Sequence, residues 1–176
     1  MRKIFVIVTA LIVLFFISNF GVSEEIIIPN ESIRIRVVAN SNSMSDQLLK
    51  NQVKESIQLK LNNLLYNVSD INEARDVLNS NLDDIKNIIE QTINSDVSNN
   101  NFKVNFGYNY FPEKKYKGVV YQEGYYESLV INLGSSEGNN WWCVLFPPLC
   151  LVDENSNNME NVEYKSFIKE LIEKYF

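Results

Sequence analysis

Cys143 and Cys150 frame the rarest stretch of the chain, which runs Trp141-Trp142-Cys143-Val144-Leu145-Phe146-Pro147-Pro148-Leu149-Cys150. In an oxidising compartment the two thiols could close a small ring around Pro147-Pro148. Left reduced, they would pack as small buried hydrophobes. Two thiols are too few for a structural zinc site by themselves. The chain has no histidine, which removes the commonest general base and metal ligand and rules out Ser-His-Asp and Cys-His arrangements. Gly134 to Gly138 lacks the lysine and the following helix of a phosphate-binding loop. Asp83-Asp84 falls on the polar side of an amphipathic helix, where solvation explains it. A Ser-Lys dyad is compatible with the composition, but no spacing marks one. No catalytic residue, metal ligand or cofactor site is therefore assigned.

Recognition chemistry has better candidates. Adjacent tryptophans in a strand point to opposite faces, so one of Trp141 and Trp142 can fill a core while the other needs a helix, a loop or a partner over it. Tryptophan is enriched at binding hot spots; burial of both rings within the domain is the plainer alternative. Arg34 and Arg36 share one strand face and, with the turn Asn40-Ser41-Asn42, would form a polar ridge. An edge strand with ordinary capping would give the same pattern. Arg34, Arg36, Asn40, Ser41, Asn42, Trp141 and Trp142 are thus the candidate partner-binding residues. A net charge of −6 speaks against nucleic acid and against broad electrostatic binding to anionic lipid.

The elements that must position these residues follow from periodicity. Ile33, Ile35, Val37 and Ala39 alternate with the arginines as a strand. Asn40 to Ser43 stops it, and Ser43 with Asp46 resembles a capping box that opens a helix lined by Leu49, Val53, Ile57, Leu61, Leu64 and Leu65. After a break at Asn67 to Asp70, Ile71, Ala74, Leu78, Leu82, Ile85, Ile89 and Ile93 recur at three and four residues and predict a second helix. Period two returns from Phe102 to Tyr110, and a turn-rich, basic and aromatic segment spans Phe111 to Gly118. Strands follow at Tyr125 to Leu133 and at Trp141 to Phe146, the last stopped by Pro147-Pro148. A final helix runs from about Glu160 to Tyr175, with Phe167, Ile168, Leu171 and Ile172 inward. Clustered helices and clustered strands predict an α+β fold. It would be a mostly antiparallel sheet of about four to five strands packed by two long helices and a C-terminal helix, with room for one parallel pairing in the strand-helix-helix opening.

The N-terminus reads as an address. Met1-Arg2-Lys3 is positive, and Ile4 to Ile17 is free of charge, which is the pattern of a secretory signal. Its apolar core is short against the roughly 20 residues of a spanning helix. Cleavage beside Gly21 and Ser23 would release the domain; counting Phe20 and Val22 would leave an anchor with the domain outside. The expected organisation is a signal peptide or signal anchor (1–23), a linker (24–32), a domain (33–153) and a C-terminal extension with an amphipathic helix (154–176).

The segments Ile33-Arg34-Ile35-Arg36-Val37-Val38-Ala39-Asn40-Ser41-Asn42-Ser43, Asp46-Gln47-x-x-Lys50-x-x-Val53 and Asn140 to Cys150 are similar to the stage II sporulation protein R family. Tyr108, Phe111-Pro112, Tyr116 and Gly124-x-Tyr126 fall between them in the family's order. Met44 stands where the family has a proline, and Gln122-Glu123 stand where it has Pro-Ala. The resemblance implies a non-catalytic signalling protein without cofactor. The forespore would secrete it into the space between the forespore and mother-cell membranes. Its partner would be the membrane-embedded aspartic protease of the mother cell that processes pro-sigma-E. The resemblance assigns no contact residue. An extracytoplasmic enzyme acting on cell wall or protein, and a tethered scaffold, are the alternatives.

Overall fold

A computed structural model describes residues 25–94, 101–149 and 161–175 of the protein. The elements are β1 (Ile26–Ile27), β2 (Ile33–Val38), α1 (Met44–Leu65), α2 (Ile71–Ser80), α3 (Leu82–Asn94), β3 (Phe102–Phe111), β4 (Lys114–Tyr116), β5 (Val119–Tyr121), β6 (Gly124–Leu133), β7 (Asn140–Phe146) and α4 (Asn161–Tyr175). The expected α+β class is what forms. The main sheet has the order β3-β6-β2-β7, and a small sheet has the order β1-β5-β4. β3 with β6, β2 with β7 and β4 with β5 are antiparallel. β2 and β6 run parallel, as a pair separated by a long helical crossover can. A second parallel pair joins β1 to β5.

Alternation along β2 divides the interior into two layers. Ile33, Ile35 and Val37 face the helices and meet Val53, Ile57, Leu61, Leu78, Ile85 and Ile89 in the larger core. The opposite face is covered by the small sheet and α4, through a second core of Ile28, Val119, Tyr121, Val144, Leu149, Tyr164 and Ile168. Part of the expected linker thus supplies β1 and the fully buried Ile28. The basic aromatic segment folds into β4 and the turn to β5, with Lys117 and Gly118 at positive φ.

The second predicted helix divides into α2 and α3 at Asn81. This residue leaves the helical region at φ −111° and ψ 11°, and its Nδ2 donates to the Val77 carbonyl at 2.8 Å. That side-chain bond satisfies a carbonyl at the end of α2, and asparagine competes well with the helical backbone in this way. The apolar spacing continues through the break, so both helices bury one continuous stripe. No helix among the described residues is long and apolar enough to cross a membrane. The segment 1–23 and its expected role lie outside the described residues.

Candidate partner-binding surface

The turn after β2 is a hydrogen-bonded brace. Ser43 caps α1, its Oγ accepting from the Asp46 amide at 3.2 Å. The Asp46 carboxylate does not complete a reciprocal box. It turns back and accepts from Ser41 Oγ (2.5 Å) and Asn40 Nδ2 (2.9 Å), and these bonds hold its pKa below the ordinary aspartate value. Asn40 Oδ1 accepts from the Ser135 amide (2.9 Å), and Asn42 Oδ1 accepts from the Asn139 amide (2.7 Å). Gln47 donates to the Ser41 carbonyl (2.9 Å) and accepts from the buried Lys50 (2.7 Å). The loop between β6 and β7 is pinned so closely that a Cβ on Gly138 would lie 2.2 Å from the Ser41 carbonyl oxygen. Asn40, Ser41 and Asn42 therefore commit side-chain oxygens to bonds within the molecule, although Asn42 itself stays exposed.

The two arginines do not form an exposed ridge. Arg34 is fully buried, because the small sheet and the aromatic side chains around it cover the face that it points to. Its guanidinium lies 3.3 Å from the centroid of Tyr126, with Phe111 at 5.3 Å and Trp142 at 5.4 Å. Nη2 donates to the Gln122 carbonyl at 3.4 Å, while Nε and Nη1 have no partner among the described residues. Aromatic faces stand in for a carboxylate, and burial lowers the pKa from the ordinary arginine value. Arg36 is half-buried; its Nη1 donates to the Tyr110 carbonyl at 3.2 Å and its head lies over Phe111 at 4.9 Å.

Trp141 and Trp142 go to opposite faces, as adjacent strand residues must. Trp141 packs against the larger core, with the Lys54 ammonium 5.3 Å from a ring centroid. Trp142 meets Tyr121 edge-on at 5.3 Å and Phe111 at 5.5 Å, with Lys114 at 5.0 Å from its ring. Both rings are half-buried, and both line one cavity of about 520 Å³. Its walls come from α1 on one side (Lys54, Glu55) and from β4, β5 and α4 on the other (Lys114, Tyr121, Tyr164). The cavity thus wraps the outer edge of β7, the last strand of the main sheet. Sequence reasoning missed Lys54, Lys114 and Tyr164. The basic aromatic run after Phe111 was the one signal for Lys114, whereas α1 and α4 gave none. Cys143 is buried, with its Sγ 3.8 Å from the Val144 carbonyl. Cys150 lies outside the described residues, and the expected disulfide with it.

Comparison with known proteins covers most of the fold. The family model described as "Stage II sporulation protein R (spore_II_R)" matches residues 29–157. A Bacillus subtilis (strain 168) protein named "Stage II sporulation protein R" is 38% identical over 153 residues, covering 86% of this chain and 68% of that protein. No solved structure matches. The matched region takes in the brace, the arginine cage and the tryptophan groove except its wall at Tyr164, and the chain belongs to the stage II sporulation protein R family, a family of sporulation proteins.

Proposed function

We propose that the protein is a secreted, non-catalytic signal of endospore formation. The forespore releases it into the space between the two membranes, where it activates the mother-cell membrane aspartic protease that processes pro-sigma-E. Family membership across residues 29–157 is the observation that carries the reading. The N-terminal pattern of Arg2-Lys3 followed by Ile4 to Ile17 supports export. The polar residues that drew attention in the sequence also suit a ligand rather than an enzyme. Arg34, Asn40, Ser41 and Asn42 make bonds that brace the fold, while Trp141 and Trp142 line a groove that offers a surface for contact.

The test is pro-sigma-E processing in sporulating cells whose own gene for the protein is deleted. The full chain made in the forespore restores processing. A chain lacking residues 1–22, made there at equal level, does not. Normal processing by the truncated chain would end the proposal.

A further inference from the structure

We propose that the outer edge of β7 is a strand-accepting site for an extended, acidic peptide segment. β7 pairs with β2 on one side and with no other strand among the described residues, and on its other side Trp141, Trp142 and Cys143 line the cavity. Open edges are templates for an added strand, whose backbone supplies the hydrogen bonds while alternate side chains enter flanking pockets. Here the flanks are ready. The cavity of about 520 Å³ embraces the edge from both faces of the sheet, with Trp141 on one and Trp142 on the other. An added strand would send successive side chains alternately to these two rings.

Charge selects the occupant. Lys54 stands over Trp141 and Lys114 over Trp142, and neither ammonium is within ion-pair distance of a carboxylate among the described residues. Glu55 is the opposing charge in the lining, so cations outnumber anions two to one. That balance is the reverse of the whole chain, whose net charge is −6. A cationic, aromatic-walled groove on an acidic protein fits a segment carrying carboxylates on both sides of its backbone. The membrane protease of the proposed function is the natural source of such a segment, an assignment that rests on that proposed function.

Both tryptophans of the chain line the groove, so intrinsic fluorescence reports on its occupancy directly. The full chain in mild detergent is titrated with three synthetic peptides. One has consecutive glutamates flanked by valines, one has lysines in their place, and one is the acidic peptide with alternate backbone amides methylated. The acidic peptide gives a saturable change, and the other two bind at least tenfold more weakly. The double variant Lys54→Glu/Lys114→Glu, with an unchanged thermal midpoint, reverses the preference between acidic and basic peptides. Equal binding of the methylated peptide would overturn strand pairing, and an unchanged preference in the double variant would overturn the role of the lysines. No binding by any peptide would overturn the site. A fluorescence change that grows with protein concentration alone would assign the edge to a second copy and overturn the peptide as occupant. None of these outcomes depends on sigma-factor processing, so failure here is distinct from failure of the proposed function.

Discussion

Arg34 shows how one residue can look like a contact and be a keystone. The guanidinium is planar and lies on Tyr126, a fit that a lysine ammonium cannot reproduce. Its two unpartnered nitrogens weaken the case for charge as such, since an apolar residue of similar volume often replaces a buried ion without loss. The Gln122 carbonyl would keep the bond from Tyr126 Oη at 3.0 Å. Urea denaturation should therefore place Arg34→Met within about 1 kcal/mol of the parent. Arg34→Lys should lose about 2 kcal/mol with the stacking, and Arg34→Ala about 3 kcal/mol or more with the cavity it leaves. A loss for Met as large as for Ala would show that the charge itself is needed. Asp46 makes a pH prediction of known sign. Its folded pKa is depressed, so its contribution is full above the unfolded value of about 3.9 and is lost as pH falls through the folded one. Moving from about pH 7 to about pH 3 should lower the urea midpoint of the parent more than that of Asp46→Asn. Equal losses would mean that the bonds from Ser41 and Asn40 do not depend on the carboxylate charge.

Between elements, the brace that joins the β2–α1 turn to the β6–β7 loop depends on close backbone approach. A methyl on Gly138 would meet the Ser41 carbonyl oxygen, a backbone atom that cannot swing aside, and would force the two loops apart. Gly138→Ala should cost about 2–3 kcal/mol by thermal or urea unfolding. Gly107 in β3 is the control, because the nearest atom to its added Cβ is Asn105 Nδ2 at 4.0 Å. Gly107→Ala should be neutral or stabilising by up to about 1 kcal/mol. If both alanines cost the same, the loop contact is not what Gly138 protects. The elements themselves were legible to different degrees. Period two revealed β2, β3 and β6 because each spans at least six residues, and β7 was legible as an apolar run stopped by Pro147-Pro148. β4 and β5 have three residues each and β1 two, too few for alternation to stand out from a turn. The break at Asn81 was invisible because Leu78, Leu82 and Ile85 keep helical spacing across it. Alternation placed Arg34 opposite Ile33 and Ile35 correctly, yet it could not say that a second layer covers that side.

At the scale of the whole molecule, that second layer raises the question of how many folding units the chain contains. Helices α1 to α3 bury one face of the main sheet, while the small sheet and most of α4 bury the other, with Tyr175 at the end of α4 reaching Phe146 of the larger core at 5.0 Å. β2 and β7 belong to both interiors: Ile33, Ile35, Cys143 and Leu145 look toward the helices, while Arg34, Trp142 and Val144 look toward the small sheet. Loss of either layer exposes apolar surface on strands that the other layer needs, which couples the two. The small sheet would be marginal alone, with strands of two and three residues and a core of seven buried side chains among the described residues. A single cooperative transition should result. Ile28→Ala in the smaller core and Ile89→Ala in the larger should each cost about 2–4 kcal/mol, since both side chains are fully buried. In both variants the unfolding curve followed by tryptophan fluorescence, which reports on the groove, should superimpose on the one followed by far-UV circular dichroism, dominated by the helices. An earlier fluorescence transition in Ile28→Ala alone would instead make the small sheet and α4 a separable flap. The groove beside β7 would then have one rigid wall and one that opens independently of the fold.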